Sequence, residues 1–161
     1  MSLLINLRHL EKKSLFLQGE LTVAALDLER IDEVIHPRQP LRYELEVQMM
    51  EKSLLVQGAL ELPLTCDCVR CLEPFKYQLA LPQWMCHLPL DGDERIPVNN
   101  DCVDLTPFVR EDILLEFPQR PLCRPECSGL LGLLQSNENP GGQHESEATR
   151  SAWDELNKLK F

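Results

Sequence analysis

Two short stretches concentrate the residues able to do chemistry. Cys68-Val69-Arg70-Cys71 and Cys123-Arg124-Pro125-Glu126-Cys127 each place two thiols within one tight turn. Both spacings are those of structural zinc sites. A turn of this size can aim two thiolates at one tetrahedral ion while its backbone N–H groups hydrogen-bond the sulfurs. Two such turns complete a four-sulfur shell, so Cys68, Cys71, Cys123 and Cys127 are the expected metal ligands. Zinc is the candidate cofactor, and iron suits the same ligand set. Residues 72–122 lie between the two turns, so a shared ion would tie distant parts of the chain together and constrain the unfolded state. The chain holds seven cysteines. An odd number in a protein read as cytoplasmic does not suit a disulfide framework. Cys86 and Cys102 are isolated and read as small buried hydrophobes. Cys66 either packs or substitutes for a ligand, because it shares a strand face with Cys68 if the strand extends that far. A redox dithiol is disfavoured, because the preceding pattern is a meander rather than βαβ.

Four cations lie in or beside these turns: Arg70, Lys76, Arg120 and Arg124. One reading is a local patch contacting RNA phosphates or a partner. The other is charge compensation, since a zinc ion with four thiolates carries a net negative charge. Signatures of hydrolytic and nucleotide-binding enzymes are missing: GxSxG, HExxH, GxxxxGK[ST] and GxGxxG are not found. His9, His36, His87 and His144 are scattered. His87 beside Cys86 is the single pairing that could complete an open metal position.

The elements that must position these residues follow from periodicity. Leu41, Tyr43, Leu45, Val47 and Met49 alternate with polar residues, the pattern of a half-buried strand. Glu51-Lys52-Ser53 forms a turn, and Leu54, Val56, Gly58, Leu60 and Leu62 continue a second alternation, with Gly58 as a bulge. A third run covers Phe75 to Leu81, which makes an antiparallel meander. Residues 3–23 read as two short extended segments, and 24–36 as helix or loop. Residues 88–103 read as a loop. A helix near 106–117 opens on Thr106 as N-cap and Pro107 at its first position. Phe108, Ile113, Leu114 and Phe117 form its apolar face, Glu111 and Asp112 lie near its positive end, and Pro118 and Pro121 stop it. Trp84 reads as core. Residues 136–150 form a polar, flexible linker. A short terminal helix over 151–161 opens on a capping-box-like Ser151-Ala152-Trp153-Asp154, with Trp153, Leu156 and Leu159 at helical spacing as a partner-docking face. The fold class is α+β: an antiparallel sheet, meander or partial barrel, in a single β-rich domain over 1–135, with one main helix and a cysteine-turn clip.

The chain has 161 residues, 26 acidic against 16 basic, for a formal charge of −10. Affinity for nucleic acid comes from neutralising phosphates, so a broad cationic footprint and DNA binding are excluded. Any RNA contact must be local or go through a protein. No apolar run approaches the ~20 residues of a membrane span. The apolar patch Leu3–Ile5 precedes its basic residues, the reverse of a secretory signal, so a cytoplasmic location is expected.

Cys68-Val69-Arg70-Cys71-Leu72-Glu73-Pro74-Phe75 resembles the C-x-R-C-x-x-P-[FV] signature of the YceD family, the bacterial large ribosomal RNA subunit accumulation proteins with plastid relatives. Val103 to Leu115 resembles its second signature, in which an acidic-apolar lead enters a helix that ends before Phe117-Pro118-Gln119-Arg120-Pro121-Leu122-Cys123. Ser151 to Lys160 resembles the family's terminal Trp-x-x-Leu-x-x-Leu-Lys. The likeness covers residues 50–161. It departs at Leu131 and Leu134, where many relatives carry a second CxxC. If the family's zinc were held by the four C-terminal cysteines, this chain would lack half the site and would bind metal only by recruiting Cys68 and Cys71. The resemblance implies a non-catalytic ribosome-biogenesis factor acting on large-subunit ribosomal RNA, with the large-subunit precursor or ribosomal proteins as partners. It supplies no mechanism and no catalytic residue. The alternatives from the residues alone are a metal-dependent or thiol-based enzyme, or an interaction module unrelated to ribosomes. The oligomeric state is not fixed by the sequence.

Overall fold

The computed structural model describes residues 2–10 and 13–130. The expected linker over 136–150 and helix over 151–161, with Trp153, Leu156 and Leu159, lie outside the described residues, as do Leu131 and Leu134.

Among the described residues, seven strands and one α-helix run in the order β1 (Leu4–Asn6), β2 (Leu15–Leu21), β3 (Ile35–Pro37), β4 (Leu41–Met50), β5 (Ser53–Asp67), β6 (Pro74–Pro89), β7 (Cys102–Asp104) and α1 (Thr106–Leu115), with a 3-10 turn over Leu7–His9 after β1. All pairings are antiparallel. The alternation read from residues 41–62 builds β4 and β5, joined by a tight turn at Glu51-Lys52 that pairs Met50 with Ser53. β5 is the spine of a five-stranded sheet. One of its edges carries β4 over Ser53–Glu61 and then β3 over Leu64–Cys66. Its other edge carries β6 along its whole length. β2 extends the sheet beyond β4. β1 and β7 form a separate two-stranded ribbon.

The bulge expected at Gly58 is real: the β5–β6 register shifts between Gly58 and Leu60. A side chain there has no room, because an added Cβ would stand 2.0 Å from the Glu44 carbonyl oxygen and 2.9 Å from Leu45 Cα. Gly58 therefore lets β4 and β5 approach at the point where the ladder bends.

The inner sheet face is apolar. Leu41, Leu45 and Val47 of β4 meet Leu54, Val56, Leu60, Leu62 and Leu64 of β5. The ribbon adds Ile5 and Val103, the loop after β2 adds Leu26 and Leu28, and α1 adds Val109 and Ile113. Trp84 joins this core, as expected, and its indole Nε1 donates to Asp112 on α1 at 2.6 Å.

Several local expectations need correction. β6 runs to Pro89 rather than Leu81, because Pro82 and the register shift break the alternation that would have revealed its second half. Residues 35–37 and 102–104 are strands too short to show a period. The helix ends at Leu115 rather than 117, and Glu116 is its C-cap. Thr106 is not the N-cap. That position belongs to Leu105, while Asp104 accepts the Thr106 N–H at 2.9 Å. The Thr106 hydroxyl instead accepts the Leu3 N–H at 2.8 Å, a buried tie between the chain start and the helix. Glu111 and Asp112 fall beyond the first helical turn, which contains no acidic residue.

Candidate metal centre

The first cysteine turn is the loop of the longest hairpin. β5 and β6 remain paired to Asp67 and Pro74, so the loop is held between two rigid strands. Within it the Cys68 N–H donates to the Glu73 carbonyl at 3.0 Å and the Leu72 N–H to the Cys68 carbonyl at 2.8 Å. Closing so tight a loop drives Leu72 into the left-handed region, at φ +62°. The residue type gives no hint of this, since the position favours glycine.

The second turn follows α1, closed by the Cys127 N–H on the Arg124 carbonyl at 3.2 Å. Two bonds dock it on the first: the Val69 N–H donates to the Pro121 carbonyl at 3.0 Å, and Arg70 Nη1 donates to the Cys127 carbonyl at 2.9 Å. Gly129 follows at φ +73°, where an added Cβ would meet the Arg70 carbonyl oxygen at 3.2 Å.

These bonds bring together the four cysteines that spacing singled out. The sulfurs of Cys68, Cys71, Cys123 and Cys127 all lie within 4.8 Å of one another. Cys68 to Cys127 and Cys71 to Cys123 are each 3.7 Å. That is far beyond a disulfide bond of about 2.05 Å. It matches the edge of a tetrahedron, which is about 3.8 Å for Zn–S bonds of about 2.3 Å. Cys68, Cys71 and Cys127 are buried and Cys123 is half-buried. Cys68 and Cys71 are thus the residues that stand with Cys123 and Cys127.

The electrostatics suit a cation. Backbone hydrogen bonds, first from Cys123 and then from Cys71 and Arg70, outweigh burial and bring the Cys68 thiol down to about 6. Cys123 is pushed up to about 12 by burial and then by the neighbouring sulfurs. At Cys71 the Glu73 N–H favours the thiolate, yet burial and the Cys68 sulfur carry the thiol upward. Thiols this close cannot all ionise against one another, and a divalent ion at their centre removes that repulsion. The donor set therefore fits a soft, tetrahedral metal.

The remaining cysteines stay outside the cluster. β5 ends at Asp67, so Cys66 turns into the main core, where burial and then the charges of Asp32 and Asp67 push its thiol up. Cys86 and Cys102 are half-buried rather than fully buried. Burial and then Asp112 push Cys86 up to about 11. His87 does not complete an open position with Cys86. Strand alternation turns the exposed His87 to the opposite sheet face.

Of the four cations, Arg70 is an exposed residue with one nitrogen bound to the second turn. Lys76 is exposed on β6 opposite Thr65, and Arg120 and Arg124 are exposed on the segment after α1. Among the described residues none of the four forms an ion pair with a carboxylate. Reading the sequence missed Leu72, Glu73 and Pro121, whose backbone groups shape the cluster. Main-chain roles leave no trace in side-chain type.

Among the described residues, an antiparallel sheet with one main helix, and four thiols that converge from its longest hairpin and from the segment after that helix, define an α+β protein with a candidate metal centre. The chain belongs to the YceD family, large ribosomal RNA subunit accumulation protein YceD, whose family model matches residues 56–160. That span begins within β5 and takes in both cysteine turns. No curated protein and no solved structure matches the chain.

Proposed function

We propose that this chain is a non-catalytic ribosome-biogenesis factor that promotes accumulation or assembly of large-subunit ribosomal RNA in the cytoplasm. The observation that carries this reading is the family match over residues 56–160. The cysteine cluster supports the non-catalytic part. Four protein thiolates would fill the shell of a zinc ion held by Cys68, Cys71, Cys123 and Cys127, leaving no position for water or substrate. Its chemistry there is structural: it would fix the hairpin loop to the post-helix segment.

Lys76, Arg120 and Arg124, exposed and near the cysteine turns in sequence, with no carboxylate partner among the described residues, are the proposed contacts for precursor RNA or an assembly protein. Arg70 has a double part, because its bond to Cys127 also holds the two turns together. A chain of charge −10 binds nucleic acid through such a local patch or through ribosomal proteins, rather than over its whole surface. Trp153, Leu156 and Leu159 are the second proposed contact, as a docking helix.

The test is recovery of RNA crosslinked in cells to the tagged full chain. Large-subunit precursors should be enriched over small-subunit RNA. Lys76→Glu, Arg120→Glu and Arg124→Glu combined should remove the enrichment while leaving the metal content unchanged. Equal recovery of both subunits, or of neither, overturns the reading. A single hyper-reactive cysteine in the metal-loaded protein would favour a thiol enzyme instead.

A further inference from the structure

The outward face of the large sheet is uncovered among the described residues. Its register lines up one row across four strands. Phe16 of β2 stands opposite Glu46 of β4, Glu46 opposite Gln57 of β5, and Gln57 opposite Met85 of β6. Both ends of the row are apolar and wet: Phe16 is 74% exposed and Met85 63%. The middle is acidic. A cleft of about 740 Å³ lies over this row, and Glu44 and Gln18 of the adjacent row also line it.

The carboxylates are held by neutral amides. Glu46 accepts from Gln48 Nε2 at 3.0 Å and from Gln57 Nε2 at 3.2 Å. These two amides, Gln48 first, hold its carboxyl below the ordinary value. Glu44 accepts from Gln18 Nε2 at 3.3 Å. Among the described residues neither glutamate pairs with lysine or arginine. Arg42, on the same face, is engaged by Glu20. Neutral amides orient these carboxylates without neutralising them, and exposed aromatic and methionine side chains flank them.

We propose that this face docks a lysine- or arginine-rich segment of a protein partner, its cations on Glu44 and Glu46 and an apolar side chain against Phe16 or Met85. Charge decides the occupant. RNA would bring phosphates to a negative surface. A second copy packed face to face by a two-fold axis would set Glu44 and Glu46 against themselves. Scale agrees as well. Three inter-strand gaps of about 4.8 Å separate Phe16 from Met85, roughly 14 Å, which an extended segment of about five residues spans. This inference goes beyond the assembly reading and stands without it.

The experiment uses the full chain and a labelled peptide of alternating lysine and leucine, with fluorescence anisotropy at low and high salt. Saturable binding that weakens with salt is expected. Glu44→Lys with Glu46→Lys should weaken it about tenfold or more, and Phe16→Ala with Met85→Ala several-fold. Glu29→Lys with Glu33→Lys makes the same charge change at exposed positions away from the cleft, and should leave affinity within about twofold. Peptide-induced shifts of the Gln57 and Met85 amides in the unaltered protein locate the site independently of any variant's folding. Equal weakening by the Glu29 and Glu33 pair, equal binding of a glutamate–leucine peptide, or unmoved Gln57 and Met85 amides overturns the proposal. So does a dimer that the Glu44 and Glu46 pair dissolves.

Discussion

Leu72 pays for the geometry of the hairpin loop. Its left-handed backbone, imposed directly after Cys71, is strained for any residue with a Cβ. Its side chain is 64% exposed and recovers little by packing. Leu72→Gly should therefore stabilise the metal-loaded protein by about 1 kcal/mol, read as a higher Tm, whereas Leu72→Ala should leave the backbone strain in place. The ligands themselves are tested by elemental analysis of protein purified without added metal. One zinc per chain is expected, lost in both Cys68→Ser and Cys123→Ser. A metal-free parent would mean that packing and the Val69 and Arg70 bonds alone hold the two turns together.

Within the elements, the β4–β5 contact depends on the missing side chain at Gly58. The Glu44 carbonyl and Leu45 Cα that block a Cβ are backbone atoms of an adjoining strand and cannot swing away. Gly58→Ala should cost more than about 2 kcal/mol in a denaturant titration. Thr106→Val strands the buried Leu3 N–H and should cost about 1–3 kcal/mol, while Thr106→Ser keeps the acceptor and most of the stability. Elements were legible in the sequence where one face is wet and the other buried. Leu41 to Met49 announce β4 because the alternating Arg42, Glu44, Glu46 and Gln48 are polar, and Leu54 to Leu62 announce β5 because fully buried residues recur at every second position apart from Gly58. The second half of β6 is hidden by Pro82 and the register shift, and β3 and β7 by their length. The helix start near Thr106 was legible, but its N-cap is Leu105, because a threonine suited to capping can equally serve a distant N–H. The cysteine cluster was legible because tetrahedral thiolate chemistry restricts spacing. The acidic cleft was not, because it depends on register across four strands.

At the scale of the whole molecule, the described residues form two apolar clusters. The large one holds the sheet, ribbon and helix, and the small one holds Cys68, Cys71 and Cys127 with Phe75, Leu122 and Cys123 around them. Phe75 touches both. Chelation should therefore loosen one region rather than unfold everything. Hydrogen exchange should rise over 68–72 and 119–130 while β4 and the Ser53–Leu64 part of β5 stay protected. Global loss of protection would show instead that the clip is needed for the main core. The bond from Val69 to Pro121 also joins segments made at very different moments of synthesis. When the hairpin loop is complete, the residues that must meet it have yet to be added, and the helix is still to come. Two thiols of the cluster thus wait as an open pair until the chain has been extended through Cys127. An ion shared by all four thiols would therefore need the chain to be made through Cys127, and a chain stopped before Cys123 would present only the first pair.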